Sequence, residues 1–172
     1  MAKITIFGLA GTGTSSTGKA LAKELNIPFV SSGNIFRKKA AELNMSLIEF
    51  VAMTEKDSSY DKILDNELTE YGKNTPHYVI ESRLAWFFNT DSIKIKLTCD
   101  RDERLRRVAQ RDGITLEQAI SDTDFREEKA LERYKNLYGI ELYTDDAHFD
   151  HIIDTTNTGV DEIVSKIKSF VV

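Results

Sequence analysis

The sequence predicts an α/β fold, a parallel sheet covered by helices on both faces. Two observations carry that prediction. Short runs rich in β-branched residues alternate with longer segments of helical periodicity, the pattern of successive strand–helix–strand units. A glycine-rich turn, residues 8–16, also lies between the first strand and the first helix, where backbone amides can face an anion.

The elements follow in order. Lys3–Phe7 (KITIF) reads as a strand that stops at Gly8, and Ser16–Leu25 as a helix with Ala20, Leu21 and Leu25 on its apolar stripe. Pro28–Ser31 is a brief second strand, and Asn34–Leu43 and Ser46–Glu55 are helices. The second of these helices opens with a capping box, in which Ser46 and Glu49 each satisfy the other's exposed amide. Asp57–Tyr71 is helical up to Gly72. His77–Glu81 and Ile93–Thr98 are the third and fourth strands, and Asp102–Arg111 is a charged helix closed by Gly113. A second capping box, Thr115 with Gln118, starts a helix to Tyr138 that Asp122–Asp124 could interrupt. His151–Asp154 is the fifth strand and Val160–Phe170 an amphipathic closing helix.

A length of 172 residues suits a single domain, expected to span 1–172. A net charge of −5 argues against nucleic acid or an anionic membrane as partner, so any bound anion must be captured locally. The lone Cys99 reads as a small buried hydrophobe at a strand end and excludes an intrachain disulfide. No apolar run is long enough to span a membrane, and the stretch Ile4–Ala10 breaks at Gly8. A cytoplasmic, monomeric protein is expected. His148 and His151 lack the spacing and the additional ligands of a metal pair.

The turn Gly8-Leu9-Ala10-Gly11-Thr12-Gly13-Thr14-Ser15, continued by Ser16, has the register of a P-loop. Glycines let successive N–H groups turn inward around phosphate, and Ser15 is placed to support Mg²⁺. The lysine usual after the last glycine is replaced by Thr14, and Lys19 is expected on the helix surface. Losing such a charge clamp costs on the order of 10²–10³ in rate. Either other cations compensate, or the protein binds nucleotide without turning it over.

The segments Ser31-Ser32-Gly33-Asn34-Ile35-Phe36-Arg37 and Val79-Ile80-Glu81-Ser82-Arg83-Leu84-Ala85 resemble motifs of cytidylate kinases, the archaeal-type branch in particular. So do Arg126, Arg133-Tyr134, Tyr138-Gly139-Ile140-Glu141 and Asp154-Thr155, in order along nearly the whole chain. That branch commonly carries threonine where other P-loops have lysine. The resemblance implies a P-loop NTPase fold with a five-stranded parallel sheet, a nucleoside-monophosphate-binding insert at about 35–73 and a lid at about 114–149. The core would then comprise about 1–34, 74–113 and 150–172.

It further implies transfer of the ATP γ-phosphoryl group to CMP or dCMP with Mg²⁺. Carried over by motif, Gly8 to Ser16 would hold the ATP phosphates, and Ser15 with Glu81 the metal, partly through water. Ser32, Gly33, Arg37 and Arg83 would hold the acceptor, and Arg83, Arg126 and Arg133 would stabilise the transferring charge. Asp61 and Asp65 resemble acidic positions of the insert that could accept from a cytosine amino group, yet they read equally as the wet face of a helix. Ser82 stands where the family has glycine, and Trp86-Phe87 depart from its pattern. The arginines 101, 104, 106, 107 and 111 are interleaved with acids and read as a solvated helix face. A kinase of the same fold for AMP or UMP, or a nucleotide-binding module without catalysis, are the alternatives.

Overall fold

The computed structural model describes residues 2–171; Met1 and Val172, the ends of the expected domain, lie outside the described residues. Five strands form one sheet, β1 (Lys3–Phe7), β2 (Phe29–Ser31), β3 (Tyr78–Glu81), β4 (Ile93–Thr98) and β5 (His151–Asp154), in the order β2-β3-β1-β4-β5. Every pairing is parallel. Parallel neighbours need crossovers, and helices supply them: α1 (Thr14–Leu25), α2 (Ser32–Glu42), α3 (Leu47–Lys56), α4 (Ser59–Asn74), α5 (Ala85–Phe88), α6 (Arg101–Asp112) and α7 (Leu116–Tyr138), while α8 (Val160–Val171) follows β5.

Both faces of the sheet are covered. On one, Leu21 and Ala22 of α1 and Ile163, Val164 and Ile167 of α8 pack on Ile4, Ile6, Val79 and Ile95. On the other, Phe7 meets Leu84, Trp86 and Ala130 in one cluster, while Tyr78 and Ile80 meet Leu68 and Ala85 in another. The central strands are therefore apolar on both sides, as a doubly covered parallel sheet demands.

Differences from the expected boundaries have local causes. Helix α1 begins at Thr14, two residues early, because Gly13 in the left-handed region (φ 88°) takes the cap position itself. Ser31 both ends β2 and caps α2, its hydroxyl accepting from Asn34 N at 3.1 Å. The Ser46–Glu49 capping box forms in full, whereas Thr115 accepts from Gln118 N and the Gln118 amide turns instead to Asp122. That side-chain bond stays on the helix surface, and α7 runs unbroken through Asp122–Asp124 for 23 residues. Cys99 lies half-buried just after β4.

One contact sets the distance of α4 from the sheet. A Cβ at Gly72 would lie 1.8 Å from Asn89 Oδ1. Asn89 is fixed by donating to Ala85 O at 3.1 Å, and its Oδ1 accepts from Tyr78 Oη at 3.4 Å. Gly72→Ala gains helix propensity of about 1 kcal/mol but overpacks this site. A net loss of about 2 kcal/mol, about 4–8 °C in Tm, is expected in a thermal melt.

Candidate functional site

Sheet register brings the site together. β3 lies between β1 and β2, and Glu81 at its end pairs with Ile6 on one side and Ser31 on the other. The loop after β1, the carboxylate of Glu81 and the start of α2 thus share the carboxyl edge of the sheet, where open α/β folds place their ligands.

The loop is held from several sides. Thr14 Oγ1 donates to Glu81 Oε1 at 3.0 Å, and Ser15 Oγ to Oε2 at 3.1 Å. Thr12 is buried, its hydroxyl donating to Leu9 O at 2.7 Å. Gly11 and Gly13 both have φ near +87°, a region closed to most side chains. A Cβ at Gly11 would lie 2.2 Å from the carbonyl oxygen of Arg104, while Gly13 faces open space. No side chain caps α1, so its first amides remain open to an external acceptor. Lys19 is exposed on α1, as expected.

Burial pushes the Glu81 carboxyl up. The Thr14 and Ser15 hydroxyls and the charges of Arg83 and Arg37 pull it down. Arg37 is exposed, its Nη1 donating to Asn34 Oδ1 at 3.3 Å over Gly33, and Ser32 is half-buried beside it. Arg83 is half-buried after β3 and Arg126 is exposed on α7. Ser82 turns its hydroxyl inward to accept from Leu84 N at 3.3 Å, which closes a local turn rather than facing the cleft. Trp86 is buried and donates to Arg83 O at 3.0 Å, so it supports the backbone that presents that arginine.

The reading of the α6 arginines as a solvated face needs correcting. Arg101, Arg106 and Arg111 are exposed and paired with Asp124, Glu103 and Asp112. Arg104 is only 6% exposed, and its Nη1 reaches Glu127 at 2.8 Å and Ala10 O at 3.4 Å. Arg107 donates to Gly11 O at 3.3 Å and, through Nη2, to the carbonyls of Thr155 and Thr156 at 2.9 and 3.1 Å. Charge alternation hid this because a guanidinium satisfies backbone carbonyls as readily as carboxylates. The three-residue spacing of Arg104 and Arg107, on a flank next to Leu105 and Val108, is the signal that could have found it.

Asp61 and Asp65 are likewise not a wet helix face. The Asp61 side chain is 12% exposed and pairs with Arg133 Nη1 at 3.2 Å. Asp65 accepts from the Tyr138 hydroxyl. Arg133 also lies over the Tyr134 ring at 5.6 Å, and its Nε is buried without a partner. Arg126 has no carboxylate within ion-pair distance among the described residues, and Glu132 nearby pairs with Lys129. His148 stacks on Trp86 and His151 on Phe170, each with centroids 4.1 Å apart, so the two imidazoles have separate partners.

Burial raises Asp65 from the ordinary 3.8 to about 6; the Asp61 charge adds to this, and the Tyr138 hydrogen bond and Arg133 oppose it. The folded state therefore holds this proton where the unfolded state has released it. The stabilising contribution is complete below the ordinary value and is lost as pH rises through about 6. Asp65→Asn, which cannot ionise, is expected to stabilise the ligand-free protein by about 1–2 kcal/mol at pH 8 and by about half as much at pH 5. Thermal melts of both proteins at the two pH values check this.

Comparison with known proteins agrees with this geometry. Residues 3–157 match the model of the cytidylate kinase-like family. A cytidylate kinase from Methanosphaera stadtmanae is 36% identical over 165 residues, covering 96% of this chain and 95% of its own. One from Thermococcus kodakarensis is 38% identical over 167 residues, covering 96% and 86%. Among solved structures, an uncharacterized protein from Eubacterium ventriosum superposes with a TM-score of 0.73 at 22% identity, over 99% of this chain and 98% of that one. A shikimate kinase from Bacteroides thetaiotaomicron gives 0.67 at 17% identity, over 98% and 97%. At such identities the structures speak for the P-loop kinase fold alone. The sequence match is closer and runs through the glycine loop, Glu81 and the arginines around them: the chain belongs to the cytidylate kinase-like family.

Proposed function

We propose that the protein transfers the γ-phosphoryl group of ATP to CMP or dCMP, forming ADP and CDP or dCDP. The observation that carries this reading is the distribution of arginine partners. Of the nine arginines in the chain, Arg101, Arg104, Arg106, Arg107, Arg111 and Arg133 pair with carboxylates. Arg37, Arg83 and Arg126 have no such pair among the described residues. They also share a neighbourhood: Arg37 and Arg83 act on the charge of Glu81, and Arg37 and Arg126 on that of Asp112. Guanidiniums left unpaired around a glycine loop suit two phosphate-bearing substrates, whose mutual repulsion needs fixed cations between them.

In this reading Gly8 to Ser16 cradle the ATP phosphates through open backbone amides. Ser32, Gly33, Arg37 and Arg83 receive the acceptor, with Asp61 and Asp65 toward its base. Residues 35–73 are the acceptor-binding insert, 114–149 the lid, and 1–34, 74–113 and 150–172 the core. The Ser15 hydroxyl and one carboxylate, Glu81, lie 3.1 Å apart, a hard-oxygen pair that fits Mg²⁺ when substrate phosphates and water complete its shell. Bound there, the ion would neutralise charge on the β- and γ-phosphate oxygens. Arg83 and Arg126 supply the remaining positive charge, in place of the lysine that Thr14 replaces. Arg133 is engaged by Asp61, which leaves Arg126 as the lid arginine free to reach phosphate. Catalysis is then positioning and charge stabilisation, since phosphoryl transfer asks little covalent work of the protein.

ADP release from Mg-ATP against a panel of CMP, dCMP, UMP, AMP and GMP tests the reading. Strong stimulation by CMP or dCMP is expected. Stimulation by another monophosphate alone would move the specificity, and silence with ATP still bound would sink the kinase reading. Arg37→Met should raise the KM for the acceptor about tenfold or more, the worth of a charge-assisted contact, and leave the KM for ATP near its original value.

A further inference from the structure

Helices α6 and α7 are joined by two rungs on one side. Arg101 donates to both carboxylate oxygens of Asp124, at 2.8 and 3.1 Å, with both side chains about half exposed. One turn further on, Arg104 pairs with Glu127 at 2.8 Å, with side chains 7% and 22% exposed. The outer rung is a surface ion pair of small consequence. The inner one is withdrawn from water, where losing a partner strands a charge.

Arg104 is also the floor of the glycine loop. Its carbonyl oxygen occupies the space that a side chain at Gly11 would need, and its guanidinium reaches Ala10 O at 3.4 Å. Behind Leu9 and Thr12 lies a cleft of about 240 Å³, bordered by Cys99 and by Arg104 itself. Glu127 lies between two buried positions of α7, Thr123 and Ala130, which fix one face of the helix against the core. Arg126 and Arg133, seven residues apart, share another flank, and Arg133 shows its direction by meeting Asp61 of α4. A single side chain thus touches both the loop and the helix that carries Arg126.

We propose that Arg104 and Glu127 are positioning residues for phosphoryl transfer: their buried pair fixes α7 against the glycine loop and so sets where Arg126 stands relative to the phosphates. This rests on the kinase reading above, in which the loop holds ATP and Arg126 meets the transferring group. Neither member of the pair needs to touch substrate. Arg104 hands the position of the loop backbone to Glu127, and Glu127 hands it to the rotation of α7.

The test is a double-mutant cycle. Glu127→Gln keeps the shape and an acceptor for Arg104 but removes the charge. In the otherwise unaltered protein it should lower kcat about tenfold or more, with the KM for each substrate changed less than about threefold. In an Arg126→Ala background the same substitution should lower kcat less than about twofold, because what it positions is gone. Asp124→Asn, which breaks only the outer rung, should leave kcat near its original value. Equal losses from Glu127→Gln in both backgrounds, or a raised KM for ATP with kcat preserved, overturn the proposal while leaving the kinase reading intact. If Arg126→Ala alone leaves kcat unchanged, the role given to Arg126 fails, and the proposal with it. Should Glu127→Gln melt below the assay temperature, Glu127→Asp takes its place in the same cycle with the same expectations.

Discussion

The site depends on one carboxylate at the end of one strand. Glu81 sits where β3 meets β1 and β2 in register, and it receives a hydroxyl from each of two consecutive loop residues, Thr14 and Ser15. A buried acid there is costly unless hydrogen bonded. The two hydroxyls meet that need and in the same stroke tie the start of α1 to the centre of the sheet. Everything that would handle phosphate, the open amides of α1 and the unpaired Arg37 and Arg83, is arranged about that junction.

The same logic, a charge made tolerable by a partner from a distant element, recurs across the cleft. Asp61 is met by Arg133 and Asp65 by Tyr138, so the helix following α3 and the end of α7 are held together through two carboxylates. The arrangement is not optimal for stability. Burial opposes the ionisation of Asp65, and Arg133 retains a buried nitrogen with no acceptor. An apolar contact would hold two helices together at less cost.

How much of this the sequence discloses follows from the kind of interaction involved. Local rules served well. Alternating β-branched and helical segments gave five parallel strands between helices, and Ser46 with Glu49 formed the predicted cap because every partner lies within one turn. The spacing of glycines after β1 located the loop for the same reason. What depends on a partner far along the chain was not legible. Arg104 and Arg107 lie among acids that would pair with any surface arginine, and only the fold shows that they reach back 94 and 96 residues to Ala10 and Gly11. Asp61 and Asp65 have a wet-looking neighbourhood in sequence because the residues that cover them, Arg133 and Tyr138, come 72 and 73 positions later. Ser82 and Trp86 stood out as departures from a family pattern. Each is explained by a nearby backbone partner, Leu84 N and Arg83 O respectively.

The stitching around Thr155 has a consequence for how the molecule comes into being. Its hydroxyl donates to Thr12 O at 2.8 Å, a contact spanning 143 residues, and its carbonyl accepts from Arg107, which also holds Gly11. The shape of the glycine loop is thus braced by a residue made 143 positions after it. Closing so long a span carries an entropic cost that later contacts must offset. The nascent chain therefore carries the loop sequence long before it has the residue that braces the loop.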